Sequence, residues 1–195
     1  MLLSIVIPCF NEEDTLPETI SRIEAVLKKI DSYSFELIFV DDGSKYKTKQ
    51  ILVEKCKINK KIKIVSFSRN FGHQFALDAG ITNAAGDAII IMDADLQDSP
   101  EEIPALYDKI IKDKYDLVSG WKQKRYDPLT KTIPTKLFNW AARRASGIYL
   151  HDFNCGLKAY KNTVVKSIEI HGEMHRYIPV LAKWAGFANI TEQVV

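Results

Sequence analysis

Cysteine, long apolar runs and excess charge are what this sequence has least of. Its 195 residues hold three cysteines, Cys9, Cys56 and Cys155. They are odd in number, widely spaced and lack a C-x-x-C pair. That excludes a disulfide framework and a cysteine zinc site, and makes a reducing compartment the default. No apolar stretch approaches the roughly 20 residues of a membrane span. Residues 2–7 are apolar, but they have no basic leader and run straight into Pro8-Cys9-Phe10-Asn11, unlike a signal peptide. The net charge is only +2, so whole-chain charge names no partner. Repeats, low-complexity tracts and linkers are also missing, and a single domain over 1–195 is expected. With 46% hydrophobic residues, that domain can bury a substantial core.

What is present alternates. Leu2–Ile7, Phe35–Val40, Ile62–Ser66, Ala88–Met92 and Asp116–Ser119 read as β-strands. Helical patterns separate them. The first is announced by a capping box, Thr15-x-x-Glu18, with Pro17 in its opening turn and Leu16, Ile20, Ile23, Leu27 and Ile30 on one face. Lys49–Lys57 is a second helix. Gln74–Ala85 is a helix of small residues suited to close packing on a sheet. A second capping box, Ser99-Pro100-Glu101-Glu102, starts a helix running to about Lys112. Beyond residue 120 the regular alternation stops, with a helical pattern over Thr135–Ser146 and strands at Gly156–Tyr160 and Ala188–Val195. Such βαβ order predicts an α/β fold with a mostly parallel sheet. Ligands of such sheets sit beyond the carboxyl ends of the strands, so the residues that end each strand carry the chemistry.

Asp93-Ala94-Asp95-Leu96-Gln97 follows an apolar strand directly. In an extended segment, residues i, i+2 and i+4 face the same way, so Asp93, Asp95 and Gln97 are expected to converge on a hard cation, Mg²⁺ or Mn²⁺. So few protein ligands would leave positions for water and phosphate oxygens. Asp41 and Asp42, in Val40-Asp41-Asp42-Gly43-Ser44, can accept hydrogen bonds from a base or ribose, or equally serve a turn. Pro8 to Glu13 sets Asn11 and Glu12 over the first strand, and Arg69, in Ser68-Arg69-Asn70-Phe71-Gly72-His73, can meet a base or phosphate. From Trp121 to Arg144 there are seven basic residues and one acid, so the rest of the chain is net acidic. This block is either a solvated helix face or a surface for an anionic ligand. An acidic pocket nearby argues against nucleic acid.

In order and spacing, SIVIPCFNEE, VDDGS, SRNFGH, GDAIIIMDADLQDSPEE and HDFNCGLKAY resemble the family 2 glycosyltransferases. More narrowly, they are similar to the branch holding dolichyl-phosphate mannose synthase and the bacterial polyprenyl-phosphate glycosyltransferases. The resemblance covers nearly the whole chain. It implies a GT-A fold, with a nucleotide-sugar half over about 1–120 and an acceptor half over about 121–195. It places Pro8, Asn11, Glu12, Asp41, Asp42 and Arg69 around the nucleotide and Asp93 at the ribose and metal. It gives Asp95, with Gln97, the metal on the donor diphosphate, Asp152 the role of catalytic base, and Arg176 a place near phosphate. The implied reaction is transfer of a hexose with inversion, from a UDP-sugar in preference to GDP-mannose, onto polyprenyl or dolichyl phosphate. The basic block would approach that acceptor or an anionic membrane. Relatives usually continue past the position of Val195 into membrane-associating segments. The implied setting is thus a cytoplasmic domain whose full-length parent works at the cytoplasmic membrane face.

Other readings are distinguishable. Transfer to a sugar hydroxyl in polysaccharide synthesis, or a non-catalytic sugar-nucleotide-binding module, would use much the same motifs. A sugar-phosphate nucleotidyltransferase would carry a Gly-rich basic loop after its first strand, where this chain has PCFNEEDT. A haloacid-type phosphatase or a phospho-receiver would place its acidic pair after the first strand.

Overall fold

The structure is a computed structural model that describes residues 1–30, 33–123, 139–140, 142–168 and 177–195. Strands β1 (Leu2–Cys9), β2 (Ser34–Asp41), β3 (Ile62–Ser66), β4 (Ala88–Ile91), β5 (Leu117–Trp121), β6 (Lys158–Lys161) and β7 (Ile190–Val194) form one sheet. Their spatial order is β3-β2-β1-β4-β6-β5-β7. The pairs β1–β2, β1–β4, β2–β3 and β5–β7 are parallel. β6 runs antiparallel to both β4 and β5 and is the one reversed strand among those described. The expected α/β architecture with a mostly parallel sheet is therefore observed.

The core follows from strand alternation. Leu3, Ile5 and Ile7 of β1 point to one face, where they pack with Leu16, Ile20, Ile23 and Leu27 of α1 (Leu16–Leu27), Leu52 of α2 (Tyr46–Ile58), and Ile103 and Leu106 of α4 (Ile103–Ile111). The intervening Val6 points the other way, into a cluster with Ile38, Val40 and helices α3 (His73–Asn83), α5 (Asn162–Lys166) and α6 (Ile178–Trp184). Both faces of β1 and β4 are covered, which is why these strands read as unbroken apolar runs. Each large aliphatic in these clusters is fully or almost fully buried, so truncating Ile20 or Ile23 to alanine would cost about 2–5 kcal/mol. The small-residue character of α3 has the expected use. A Cβ on Gly80 would lie 2.2 Å from Val6 Cγ1, so the helix sits closer to the sheet than any side chain there would allow.

Neither capping box forms. Thr15 already has helical dihedrals (φ −95°, ψ −31°) and makes no side-chain cap, because an N-cap hydroxyl reaches the helix N–H groups from an extended backbone. Its hydroxyl donates to Glu12 Oε2 at 2.8 Å instead, and Leu16 N–H reaches back to the Glu12 carbonyl. Ser99 is extended but likewise makes no side-chain cap, and a 3₁₀ turn, Pro100–Glu102, precedes α4. The side chain of Glu101 points to Arg22 of α1, whose guanidinium meets it at 2.7 Å. Of the helical pattern expected over Thr135–Ser146, the described residues 139–140 and 142–146 are helical.

Candidate active site

β1, β2 and β3 end level with one another, Cys9 opposite Asp41 and Asp41 opposite Ser66, with β4 ending beside them. Their following loops therefore crowd over one edge of the sheet. Hydrogen bonds weld these loops together. Asn11, in the left-handed region at φ 57°, donates its N–H to Ser44 Oγ at 3.0 Å and accepts from Lys45 N–H at 2.9 Å. Asp41 accepts Ser44 N–H at 2.9 Å. Asp42 reaches across to accept the N–H groups of Phe71 (2.7 Å) and Gly72 (3.0 Å). Gly43 has φ 71°, and a Cβ there would lie 2.2 Å from the Arg69 carbonyl carbon, so no larger residue fits the crossing. The guanidinium of Arg69 sits over the Phe71 ring, 4.7 Å from its centre.

Two cavities open above this edge. One of about 390 Å³ is bordered by Pro8, Glu12, Asp42, His73, Asp93 and Asp95, among others. The second, of about 380 Å³, lies toward β6 and is bordered by Asn154, Gly156, Lys158 and Tyr160. His73 and Asp93 line both, so Asp93 stands in the shared wall. Of the residues singled out from sequence, Pro8, Glu12, Asp42, Asp93 and Asp95 are brought together. Asn11, Asp41, Arg69, Gln97 and Asp152 are not among the described residues bordering either cavity. Arg176 lies outside the described residues, as do Lys124, Arg125, Lys131 and Lys136 of the basic block.

One geometric expectation is corrected. The segment from Asp93 to Gln97 is a turn, not an extended strand. Leu96 adopts φ 64°, and Asp95 Oδ1 accepts the N–H of Gln97 at 3.0 Å. The alternation that would align Asp93, Asp95 and Gln97 on one side therefore does not apply, and Gln97 is exposed. Among the described residues no three His, Cys, Asp or Glu side chains form a metal cage. The donor set that remains, two carboxylates bordering the first cavity, suits a hard divalent cation that takes its other ligands from phosphate and water.

The electrostatics are those of crowded acids. Burial, then the neighbouring Asp98 and Asp95, push the Asp93 carboxyl above the usual carboxylate range, opposed by His73 and Lys122. His73 Nε2 is 3.8 Å from Asp93 Oδ1. Asp98, on the same turn, accepts the Asp93 N–H at 3.0 Å and pairs with Lys122 Nζ at 2.9 Å. Lys158, at the floor of the second cavity, is buried and donates to the Cys155 carbonyl. Burial pulls its ammonium below the usual lysine range, against the pull of Cys155, Asp152, Asp93 and Asp98. A Cβ on Gly156 would lie 2.4 Å from Asp93 Oδ2.

Asp152 is 3% exposed and held from β7. Glu192 accepts the N–H groups of His151 and Asp152 through Oε1, and its Oε2 lies 2.7 Å from His151 Nδ1. Trp121 stacks on the His151 ring at 4.0 Å. Asp98, Lys158, Gly156 and Glu192 were not assigned from sequence. Asp98 adjoins the D-x-D and was within reach of local reasoning. Lys158 and Glu192 belong to strands whose positions in the sheet have no local signal.

The sequence model described as glycosyl transferase family 2 matches residues 4–177. The chain belongs to that family. Its similarity extends to polyprenyl-phosphate sugar transferases. One is undecaprenyl-phosphate 4-deoxy-4-formamido-L-arabinose transferase of Pseudomonas fluorescens (strain Pf0-1), 37% identical over 98% of this chain and 56% of that protein. Another is dodecaprenyl-phosphate galacturonate synthase of Rhizobium johnstonii, 38% identical over 91% of this chain and 53% of that protein. The chain thus spans about half the length of the curated relatives it matches. Among solved structures it resembles glucosyl-3-phosphoglycerate synthase of Mycobacterium tuberculosis in complex with Mn²⁺, UDP and phosphoglyceric acid. The TM-score is 0.75 at 22% identity, over 99% of this chain and 68% of that one, which establishes for this family 2 member the GT-A fold.

Proposed function

We propose that this family 2 domain transfers a sugar from a nucleoside-diphosphate donor, UDP in preference to GDP, to a polyprenyl phosphate, with inversion at the anomeric carbon. The observation that carries this reading is the wall at Asp93. A carboxylate-bearing turn separates two cavities of similar size, as a donor diphosphate between a nucleoside and a reacting sugar requires. The similarity to polyprenyl-phosphate transferases supports the acceptor, and the UDP complex of a structural neighbour supports the donor.

Asp42, Glu12 and Pro8 would border the nucleoside, and Asp93 and Asp95 would hold Mg²⁺ or Mn²⁺ on the diphosphate. Bound there, the cation offsets the charge that develops on the leaving nucleotide. An acceptor oxygen attacks the anomeric carbon as its bond to the diphosphate breaks, and the departing nucleotide keeps the electron pair. A lipid monophosphate, with a second pKa of about 6, is already ionised at neutral pH and needs no base. Asp152, buried and tied to the 151–154 turn through Asn154 N–H at 2.9 Å, then orders the second cavity rather than accepting a proton. The division into a donor half and an acceptor half after about residue 120 belongs to this same reading. β6 and β7 join the common sheet and bring Lys158 and Glu192 to it.

No helix among the described residues is long and apolar enough to cross a membrane. Trp140, Tyr149 and Trp184 are largely exposed, and Lys183 ties their segments by donating to the Ser146 and Gly147 carbonyls. Exposed aromatics beside Arg144 suit a membrane interface, where the lipid phosphate would be presented. The test is transfer of labelled sugar from UDP-sugars to undecaprenyl phosphate by the full-length parent. Lipid-linked product that depends on divalent cation supports the proposal. Transfer only to saccharide hydroxyls would replace the acceptor.

A further inference from the structure

The ion pair beneath the Asp93–Asp98 turn has no ligand to touch. Asp98 is not among the residues bordering either cavity, and its side chain is fully buried. Each of its oxygens nevertheless has a defined neighbour. Oδ2 accepts the backbone N–H of Asp93 at 3.0 Å. Oδ1 lies 2.9 Å from Nζ of Lys122, just past the end of β5. β4 and β5 are not adjacent, because β6 lies between them, so the pair ties two strand ends over the start of the intervening strand. That gap is tight: a Cβ on Gly156 would lie 3.2 Å from Asp98 Oδ2. A buried carboxylate is strongly destabilising once its partner is removed, and Lys122 is the described cation in contact with this one.

Charge gives the pair a second consequence. Asp93, Asp95 and Asp98 place three carboxylates within six residues. Lys122 cancels the one that does not reach the cavity. We propose that Asp98 and Lys122 are positioning residues of the cation subsite. Asp98 fixes the backbone of Asp93, and Lys122 neutralises Asp98, so that only Asp93 and Asp95 present unbalanced negative charge to an entering divalent cation. This rests on reading the cleft as a metal–nucleotide site.

The two partners then predict opposite signs. Asp98→Asn keeps the shape but leaves the Lys122 ammonium unbalanced beside the subsite. Lys122→Gln leaves an extra carboxylate charge there. Calorimetric binding of UDP in Mn²⁺ and in EDTA, with melting curves in both, separates the possibilities. Asp98→Asn should weaken Mn²⁺-dependent UDP binding about tenfold or more, the scale for groups that orient metal ligands. Lys122→Gln should melt lower without metal yet show a larger Mn²⁺-induced rise than the parent. The double variant, charge-balanced again, should recover most of the affinity lost in Asp98→Asn. If Asp98→Asn does not fold, Lys122→Gln and the double variant carry the test. Parent-like Mn²⁺ dependence in Asp98→Asn, a smaller Mn²⁺-induced rise in Lys122→Gln, or a double variant that binds UDP in Mn²⁺ about tenfold or more weaker than the parent overturns this inference alone. A parent that binds UDP equally in Mn²⁺ and EDTA overturns the reading of the cleft, and this inference with it.

Discussion

Replacing Gly156 by alanine should separate function from stability. The new Cβ would lie 2.4 Å from Asp93 Oδ2, where ordinary contact begins near 3.4 Å. The nearest atom is the end of a side chain about one-third exposed, so it can turn aside while the backbone stays, and the buried Asp98 Oδ2, at 3.2 Å from the new Cβ, need give only slightly. The carboxylate must then move by about 1 Å, a misplacement worth on the order of 10²-fold in rate when it falls on a reacting constellation. Stability should change little. Relief of the contact by rotation costs about 1 kcal/mol, and alanine returns about 0.4–1 kcal/mol by restricting the unfolded chain. The residual, at most about 0.6 kcal/mol, corresponds to no more than about 2 °C in Tm in a chain of this size. Differential scanning calorimetry should therefore give a near-parental Tm, while sugar transfer by the full-length parent falls about a hundredfold. Parental transfer would show that the position of Asp93 is immaterial. A fall of more than about 10 °C, far beyond that few-degree estimate, would show that the side chain cannot yield as reasoned.

Asp42→Asn should destabilise the loops by about 1.5–3 kcal/mol, because two charge-assisted bonds to Phe71 and Gly72 N–H depend on its oxygens; denaturant midpoints at constant m-value would register it. Glu192→Gln should lower transfer with little effect on UDP affinity, since its carboxylate holds the His151–Asp152 turn and does not border the cavity proposed for the nucleoside; unchanged kcat with raised KM for donor would contradict that. Acid sensitivity should be traceable to Glu36. Burial alone would raise its carboxyl, but Lys63, Ser4 and the Ala85 N–H together hold it below the usual range. A group depressed in the fold contributes stability above its unfolded pKa, near 4.3, and loses it as pH falls through the folded value. Glu36→Gln should therefore lose less stability than the parent between about pH 5 and pH 3, and equal acid profiles would exclude Glu36 as a contributor.

Much of this architecture was legible because burial on both faces leaves a simple trace. β1 and β4 are apolar at nearly every position and β2 from Leu37 to Val40, and the i, i+4, i+7 spacing of Leu16, Ile20 and Ile23 marks the inner face of α1. The edge that carries the cavities was legible for a related reason, since Asp41-Asp42 and Asp93-Ala94-Asp95 follow directly on apolar runs. The capping rules failed at both helices. Thr15, already helical, donates to Glu12 instead of capping, and Ser99 makes no side-chain cap before a 3₁₀ turn. The turn after β4 folds back on Asp98, which no alternation rule anticipates. The insertion of β6 between β4 and β5 has no signature in a four-residue strand, so Lys158 was invisible as part of the floor, as was Glu192 on β7 as the clamp on Asp152.

The proposed cation site stands or falls with Asp95. Titration of UDP into the chain in Mn²⁺ and again in EDTA, repeated with Asp95→Asn, isolates the metal-dependent part of binding. The parent should bind at least about tenfold more tightly with Mn²⁺, and Asp95→Asn should lose most of that difference while melting like the parent, because a carboxylate at the cavity mouth supports the ligand and not the core. Equal metal dependence in parent and variant would remove Asp95 from the site, and no metal dependence in either would remove the metal–nucleotide reading of the cleft.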